Sequence, residues 1–170
     1  MRKHGKILII IWWLYIALLC VFVVVKFKGS FYELSDRIRS FSSPGSINYN
    51  LIPFRSMSDQ LKRITQWWAL KNLLGNIIPF VPFGFLLPIT YQKFSSAIKV
   101  LSTGLVSILL IEIFQFFTKL GFFDVDDIIL NMIGIVCGYL MYLVVISKKQ
   151  WSAAGEEQRV AAAVCSHEKG

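Results

Sequence analysis

The sequence predicts an all-α integral membrane protein, a four-transmembrane-helix bundle with an interfacial amphipathic helix before the second span. Hydrophobic residues make up 55% of the chain and charged residues only 16%, whereas a soluble domain carries about 25% charged residues because its surface faces water. The mean hydropathy of +0.59 agrees with this class. Four apolar runs are also long enough to cross a bilayer as helices, which requires about 20 residues each.

The first predicted span covers residues 7–25 and follows three Lys and Arg residues near the N-terminus. Its apolar run is longer than the h-region of a secretory signal peptide, and no small-x-small cleavage motif ends it. We therefore expect this helix to stay attached. A long polar connection follows the first span, and its segment Ser56-Met57-Ser58-Asp59 resembles a helix N-cap. Apolar residues at helical spacing, including Trp67 and Trp68, then indicate a helix lying at the headgroup level.

The remaining spans are predicted at 72–90, 97–117 and 127–146. The second span contains three prolines, each of which removes a backbone donor. Because lipid cannot satisfy the carbonyls so freed, we expect an irregular helix enclosed by its neighbours. The four spans form one transmembrane domain over 1–149, and residues 150–170 are expected to be a polar, disordered cytosolic tail.

Each of the last three spans carries two polar residues at helical spacing, namely Asn72 with Asn76, Glu112 with Gln115, and Asp127 with Asn131. Residues three or four apart share one helix face. The pairs lie at the start, the end and the start of their spans, so alternating crossings bring them to one side of the bilayer in either orientation. Asp124, Asp126 and Arg55 belong to the same side. The sequence thus predicts a polar cluster at one membrane face.

Two interpretations of this cluster stay open. A carboxylate placed in hydrocarbon costs about 2.5–3.5 kcal/mol on an insertion scale, so Glu112 must be paired or hydrated. The cluster is then either a hydrogen-bonded clasp between helices or a site for a ligand or lipid headgroup. An ion or proton path is a third, weaker interpretation.

Several functional classes find no support in the sequence. The net charge of +8 is scattered along the chain, which favours contact with anionic lipid over nucleic acid. No Cys or His spacing predicts a metal site, and no motif indicates a cofactor. Gly134 and Gly138 form a small-xxx-small face that allows close helix contact, including contact with a second copy of the chain.

The polar positions fall within segments that resemble the VanZ-like family of bacterial membrane proteins. The matching segments are Asn50-Leu51-Ile52-Pro53-Phe54, Asn72-Leu73-Leu74-Gly75-Asn76 with Pro79-Phe80-Val81-Pro82-Phe83-Gly84, Glu112 with Gln115, and Phe123-Asp124-Val125-Asp126-Asp127-Ile128-Ile129-Leu130-Asn131 with Gly134. The resemblance implies a protein of the bacterial cell membrane, linked in some members to resistance against glycopeptide antibiotics of the teicoplanin type. Those drugs bind the D-Ala-D-Ala end of cell-wall precursors.

We therefore expect a non-enzymatic envelope protein that contacts membrane lipids and binds a lipid-linked or peptide-like ligand, such as a cell-wall precursor or a glycopeptide-related molecule, at the outer leaflet. The alternative is a membrane enzyme that uses Glu112 or Asp127 as a general acid or base on an envelope lipid or precursor. The absence of a nucleophile motif from the sequence weighs against an enzyme. Lys and Arg residues next to the first and last spans favour cytosolic termini, which places the cluster at the outer face.

Overall fold

The structure, a computed structural model, describes residues 3–25, 49–118 and 123–167. The connection 26–48 and the loop residues 119–122 lie outside the described part. The elements in chain order are α1 (Lys3–Val25), β1 (Tyr49–Asn50), α2 (Arg55–Lys62), α3 (Trp67–Thr90), a 3-10 turn (Gln92–Phe94), α4 (Ala97–Thr118), β2 (Phe123–Asp124) and α5 (Val125–His167).

Four helices are long and apolar enough to cross a membrane, which confirms the predicted all-α membrane bundle. Their spanning segments are Gly5–Phe22, Trp67–Thr90, Ala97–Thr118 and Val125–Ser147. Many apolar side chains of these segments are exposed, which suits contact with lipid. In lipid every backbone donor and acceptor must be satisfied internally, and a helix does this within its own segment.

The amphipathic helix before the second span is shorter than the sequence predicts. It is α2, which ends at Lys62. A turn over 63–66 separates it from α3, so Trp67 and Trp68 begin the spanning helix itself. The helical spacing of apolar residues runs across this turn in the sequence, so periodicity alone does not show the break.

Helix α3 lies at the centre of the bundle and packs against α1, α4 and, most extensively, α5. It runs as one helix through Pro79, Pro82 and Pro88. The Tyr15 hydroxyl donates a hydrogen bond to the Pro79 carbonyl at 2.8 Å. Phe83 lies edge-on against Trp12 of α1, with ring centroids 5.3 Å apart. Neighbouring helices therefore cover only part of the proline-rich helix, of which 39% is buried. The predicted irregularity is wrong, since α3 is one α-helix over Trp67–Thr90.

Helices α3 and α5 approach each other so closely that only glycine fits between them. A Cβ atom added to Gly134 would lie 2.2 Å from the carbonyl oxygen of Ile77, and one added to Gly138 would lie 1.9 Å from that of Val81. Both glycines are buried against α3 of the same chain. The small-xxx-small face is thus used for a helix contact within the chain. From the sequence, contact with a second copy of the chain was also possible.

The last helix differs from the sequence-based expectation for the C-terminal tail. Helix α5 continues beyond the spanning segment to His167, through residues for which a disordered tail is expected. This stretch is rich in Ala and also contains Glu and Gln, which are among the strongest helix formers. Its polar composition indicates disorder, whereas its helix propensity permits extension of a helix already nucleated in the membrane.

Candidate functional site

A short segment of the long connection lies across the start of α5. We call residues 49–57 the strap. Strand β1 pairs in parallel with β2, with Tyr49 opposite Phe123 and Asn50 opposite Asp124. This two-residue pairing fixes the strap against the loop that leads into α5, and it brings distant parts of the chain together at the membrane face predicted for the polar cluster.

Asp126 is the principal attachment point of the strap. Its side chain is only 1% exposed. One carboxylate oxygen accepts a hydrogen bond from the backbone N–H of Phe54. The other oxygen accepts from the Met57 N–H at 2.9 Å and from the Ser56 hydroxyl at 2.7 Å. An ionised carboxylate only accepts hydrogen bonds, and these three donors are the compensation that its burial requires.

Asp124 forms the second attachment. Its carboxylate accepts from the Asn50 side-chain amide at 3.1 Å and from the Ser56 hydroxyl at 2.8 Å. It also accepts from the backbone N–H of Asp126 at 2.9 Å, which caps the start of α5. The Ser56 hydroxyl has a single hydrogen and lies between two carboxylates, so it serves both aspartates by sharing that hydrogen.

The backbone of the strap is strained at Phe54. Its φ of 65° lies in the left-handed region, and it is the one non-glycine residue with positive φ in the described chain. This conformation costs about 1–2 kcal/mol for a residue with a Cβ atom. The Phe54 side chain is 57% exposed, so packing does not hold it there. The hydrogen bond from its N–H to Asp126 is the contact that stabilises the strained turn.

Deeper in the bundle, one or both members of each predicted polar pair are buried near the strap. The Asn76 side-chain amide of α3 donates to the Asp127 carboxylate of α5. Glu112 of α4 accepts a 3.4 Å hydrogen bond from the backbone N–H of Asp124. We call the buried side chains beneath the strap, together with Asp127, the inner layer; it comprises Asn76, Glu112, Gln115, Asp127 and Asn131. Four of these five are less than 6% exposed.

Two predicted cluster residues stay at the surface. Asn72, one turn before Asn76, is exposed, and so is Arg55 at the start of α2. In the ranges that the structure covers, the one ion pair joins Lys62 and Asp59 at 3.8 Å on exposed α2. The guanidinium of Arg55 therefore does not neutralise the aspartates that hold the strap.

The inner layer contains acceptor atoms without donors. The Oδ1 atoms of Asn76 and Asn131 are buried and make no hydrogen bond. Both side chains are amides, and a buried amide oxygen normally accepts a hydrogen bond from a neighbouring donor. The layer is thus built to accept hydrogen bonds. Across the described residues, no three His, Cys, Asp or Glu side chains are placed to hold a metal ion.

The strap was not predicted from the sequence. Ser56 is predicted to lie in an N-cap, yet α2 begins at Arg55 without a side-chain cap, and the Ser56 hydroxyl donates to the two aspartates instead. The backbone amides of Phe54 and Met57 were not predicted as donors either. The available signal was the run of three acidic residues over 124–127, since carboxylates at a helix start in a membrane require several donors.

Comparisons with known proteins place the chain by sequence. The model of the VanZ/LLP1 family matches residues 12–146. "Protein VanZ" of Enterococcus faecium is 29% identical over 99 residues, which cover 56% of this chain and 61% of that protein. The match therefore spans less than two thirds of this relative. No solved structure matches the chain.

Proposed function

Because the chain belongs to the VanZ/LLP1 family, we propose that it is a cell-envelope membrane protein that contributes to resistance against glycopeptide antibiotics of the teicoplanin type. In this proposal it binds a lipid-linked or peptide-like ligand at the outer leaflet and thereby changes the access of the drug to its target. The inner layer is the binding site, and the strap covers it from the aqueous side.

The observation that carries the proposal is the pair of buried amide oxygens without donors at Asn76 and Asn131. A purely structural clasp is expected to satisfy its own polar atoms, because an unpaired buried acceptor costs about 1–3 kcal/mol. The aspartates under the strap are satisfied in this way. The inner layer, in contrast, contains two acceptor atoms without donors. This difference supports a binding role for the inner layer and a structural role for Asp124 and Asp126.

The outer-leaflet location depends on the orientation of the bundle. Arg and Lys residues immediately before the first span and after the last favour cytosolic termini. Single cysteines introduced at residue 46 or 122 should then react with an impermeant maleimide added to intact cells, whereas a cysteine at residue 155 should react only after lysis. Labelling of residue 155 in intact cells would reverse the orientation and move the site to the inner leaflet.

The resistance role is tested by expressing the chain in a susceptible bacterium and measuring the teicoplanin concentration that stops growth. We expect that concentration to rise with the wild-type protein. Glu112→Gln and Asp127→Asn preserve side-chain shape, so each should abolish the rise while membrane abundance and thermal stability in detergent stay near wild type. Gln92→Leu, an exposed position in the 3-10 turn at the other membrane face, is the matched control and should retain resistance.

If a single variant retains part of the resistance, the double variant separates a shared site from independent contributions. If Glu112 and Asp127 act on one ligand, the double variant should be no worse than either single variant, because coupled groups are not additive. If every loss of resistance instead tracks an equal loss of folded protein, the inner layer is a clasp and the binding proposal is wrong.

A further inference from the structure

The end of α2 and the start of α3 form an exposed corner at the membrane face that carries the strap. We call residues 61–71 the basic turn. Four large apolar side chains of this segment are exposed, namely Leu61, Ile64, Trp67 and Trp68, and Trp67 is 74% exposed. Several large apolar side chains left uncovered close together indicate a surface that contacts lipid or another molecule.

The basic turn also carries a concentration of positive charge. Lys62, Arg63 and Lys71 are all exposed. Among the residues that the structure describes, one ion pair is present, between Lys62 and Asp59 at 3.8 Å. Arg63 and Lys71 therefore meet no acidic side chain of the described chain within ion-pair distance. After Asp59 the sequence contains no acidic residue before Glu112.

The carboxylates at this membrane face have partners of their own and lie away from the basic turn. Asp126 is bound by Met57 in the first turn of α2, and the eight residues of α2, which extend over about 12 Å, separate that end from the basic turn. Asp127 accepts from Asn76, which lies more than one turn deeper along α3 than Lys71. The surface of the basic turn therefore keeps its positive charge.

Backbone hydrogen bonds fix the shape of this corner. The Arg63 N–H donates to the Gln60 carbonyl at 3.1 Å, and the Gln66 N–H donates to the Arg63 carbonyl at 2.8 Å. The second bond brings Arg63 within one tight turn of the start of α3. Lys71 follows Trp67 by four residues and shares its face of that helix. The two cations without ion pairs thus lie within one turn of Trp67 on either side.

The spanning helix sets the depth of the basic turn. Trp67 is the first residue of the second spanning segment, so the turn lies where hydrocarbon gives way to headgroups. Trp side chains are enriched at this level. Lys and Arg side chains can lie along lipid and place their charges in the headgroup layer. Lipid contacts this level in any membrane, whereas a soluble partner would reach only the polar side of the turn.

We infer that the basic turn is a docking surface for anionic phospholipids, with Arg63 and Lys71 attracting the negative headgroup and Trp67 contacting the acyl chains. Charge complementarity selects this class, because a zwitterionic lipid carries its own cation and gains less. Each basic residue near an anionic membrane surface contributes a factor of about five in binding. The inference is independent of the proposed function, since this surface is separate from the inner layer and is the same in either orientation of the bundle.

The test uses the full-length protein in nanodiscs of equal phosphatidylglycerol and phosphatidylcholine with identical acyl chains. Thr65, an exposed position in the basic turn, is replaced by the photo-crosslinking residue p-benzoylphenylalanine, and mass spectrometry quantifies the adducts with each lipid. We expect phosphatidylglycerol adducts to exceed phosphatidylcholine adducts by about threefold or more. The ratio should fall between roughly 0.1 M and 1 M salt, because the screening length shortens from about 10 Å to about 3 Å.

Charge-matched variants attribute the preference to the basic turn. Arg63→Gln combined with Lys71→Gln should bring the adduct ratio at residue 65 close to one. Lys93→Gln combined with Lys99→Gln removes the same charge at the other membrane face and should leave that ratio unchanged. All four side chains are exposed, so both double variants should keep the wild-type melting temperature.

Three results would overturn the inference. The first is equal adduct formation with the two lipids in the wild-type background. The second is a phosphatidylglycerol preference that survives the combined changes at Arg63 and Lys71, or that is insensitive to salt. The third is adducts at residue 65 that join two copies of the chain in place of lipid, which would identify the basic turn as a protein interface.

Discussion

Removing the Asp126 carboxylate tests how firmly the strap is attached. Asp126→Ala deletes an acceptor that receives hydrogen bonds from Phe54, Ser56 and Met57. Each hydrogen bond to a charged group contributes about 1.5–3 kcal/mol. Phe54 is largely exposed and Met57 partly so, which lets water reach the freed amides and offset part of the loss. We therefore expect the free energy of unfolding to fall by about 3–5 kcal/mol.

The isosteric variant sharpens the test. Asp126→Asn keeps one acceptor oxygen for the Ser56 hydroxyl and the Met57 N–H, but it turns an NH₂ group toward the Phe54 N–H. We expect a loss of about 1–3 kcal/mol, between wild type and alanine. Asp59→Asn is the control on the adjoining helix, because its side chain is 71% exposed and its 3.8 Å ion pair contributes little.

The measurements are denaturant unfolding in detergent micelles and amide hydrogen exchange of the strap. Amide exchange at Phe54 and Met57 should accelerate strongly in Asp126→Ala, because both N–H groups lose the carboxylate that accepts their hydrogen bonds. Unchanged exchange at these amides, or an Asp126→Ala protein as stable as Asp59→Asn, would show that the carboxylate does not hold the strap.

Three further predictions concern the stability of the bundle and of the strap. Gly134→Ala should destabilise the protein by about 1–3 kcal/mol in the same unfolding assay, because its Cβ overlaps a carbonyl of α3, whereas Gly5→Ala should have almost no effect, as nothing lies within 4 Å of its Cβ position. Phe54→Asn should leave stability unchanged or raise it by up to about 1 kcal/mol, since Asn tolerates positive φ; a large loss would mean that the aromatic ring anchors the strap. Tyr15→Phe should lower stability by about 0.5–1.5 kcal/mol through loss of its bond to the Pro79 carbonyl, and an unchanged melting temperature would contradict that bond.

The sequence was sufficient for the bundle and for the inner layer. Apolar run length predicts the four spans, and helical spacing combined with alternating crossings predicts that Asn76, Glu112 and Asp127 meet at one face. These inferences succeed because a helix fixes both the angular position and the depth of each side chain. The same logic fails for Asn72, which shares the face of Asn76 but is exposed.

The strap could not be predicted from periodicity. Asn50 and Ser56 belong to a long connection whose path depends on tertiary contacts, and no local pattern shows that their donors meet Asp124 and Asp126. Glycine spacing likewise indicates close helix contact but does not identify the partner. Gly134 and Gly138 face α3 in the same chain, and only the three-dimensional arrangement distinguishes this from contact with another copy.

The attachment of the strap to Asp126 has a consequence for biosynthesis. The hydrogen-bonded residues are separated by 69 to 72 positions, and two complete spans lie between them. At about 5–20 residues per second, a ribosome needs roughly 4–14 s to produce that length of chain. The donors of the strap therefore stay hydrated until the last helix has emerged and entered the bilayer. Closure of this face is thus a late event in assembly, and a nascent chain that ends before Asp124 lacks the acceptors that hold the strap.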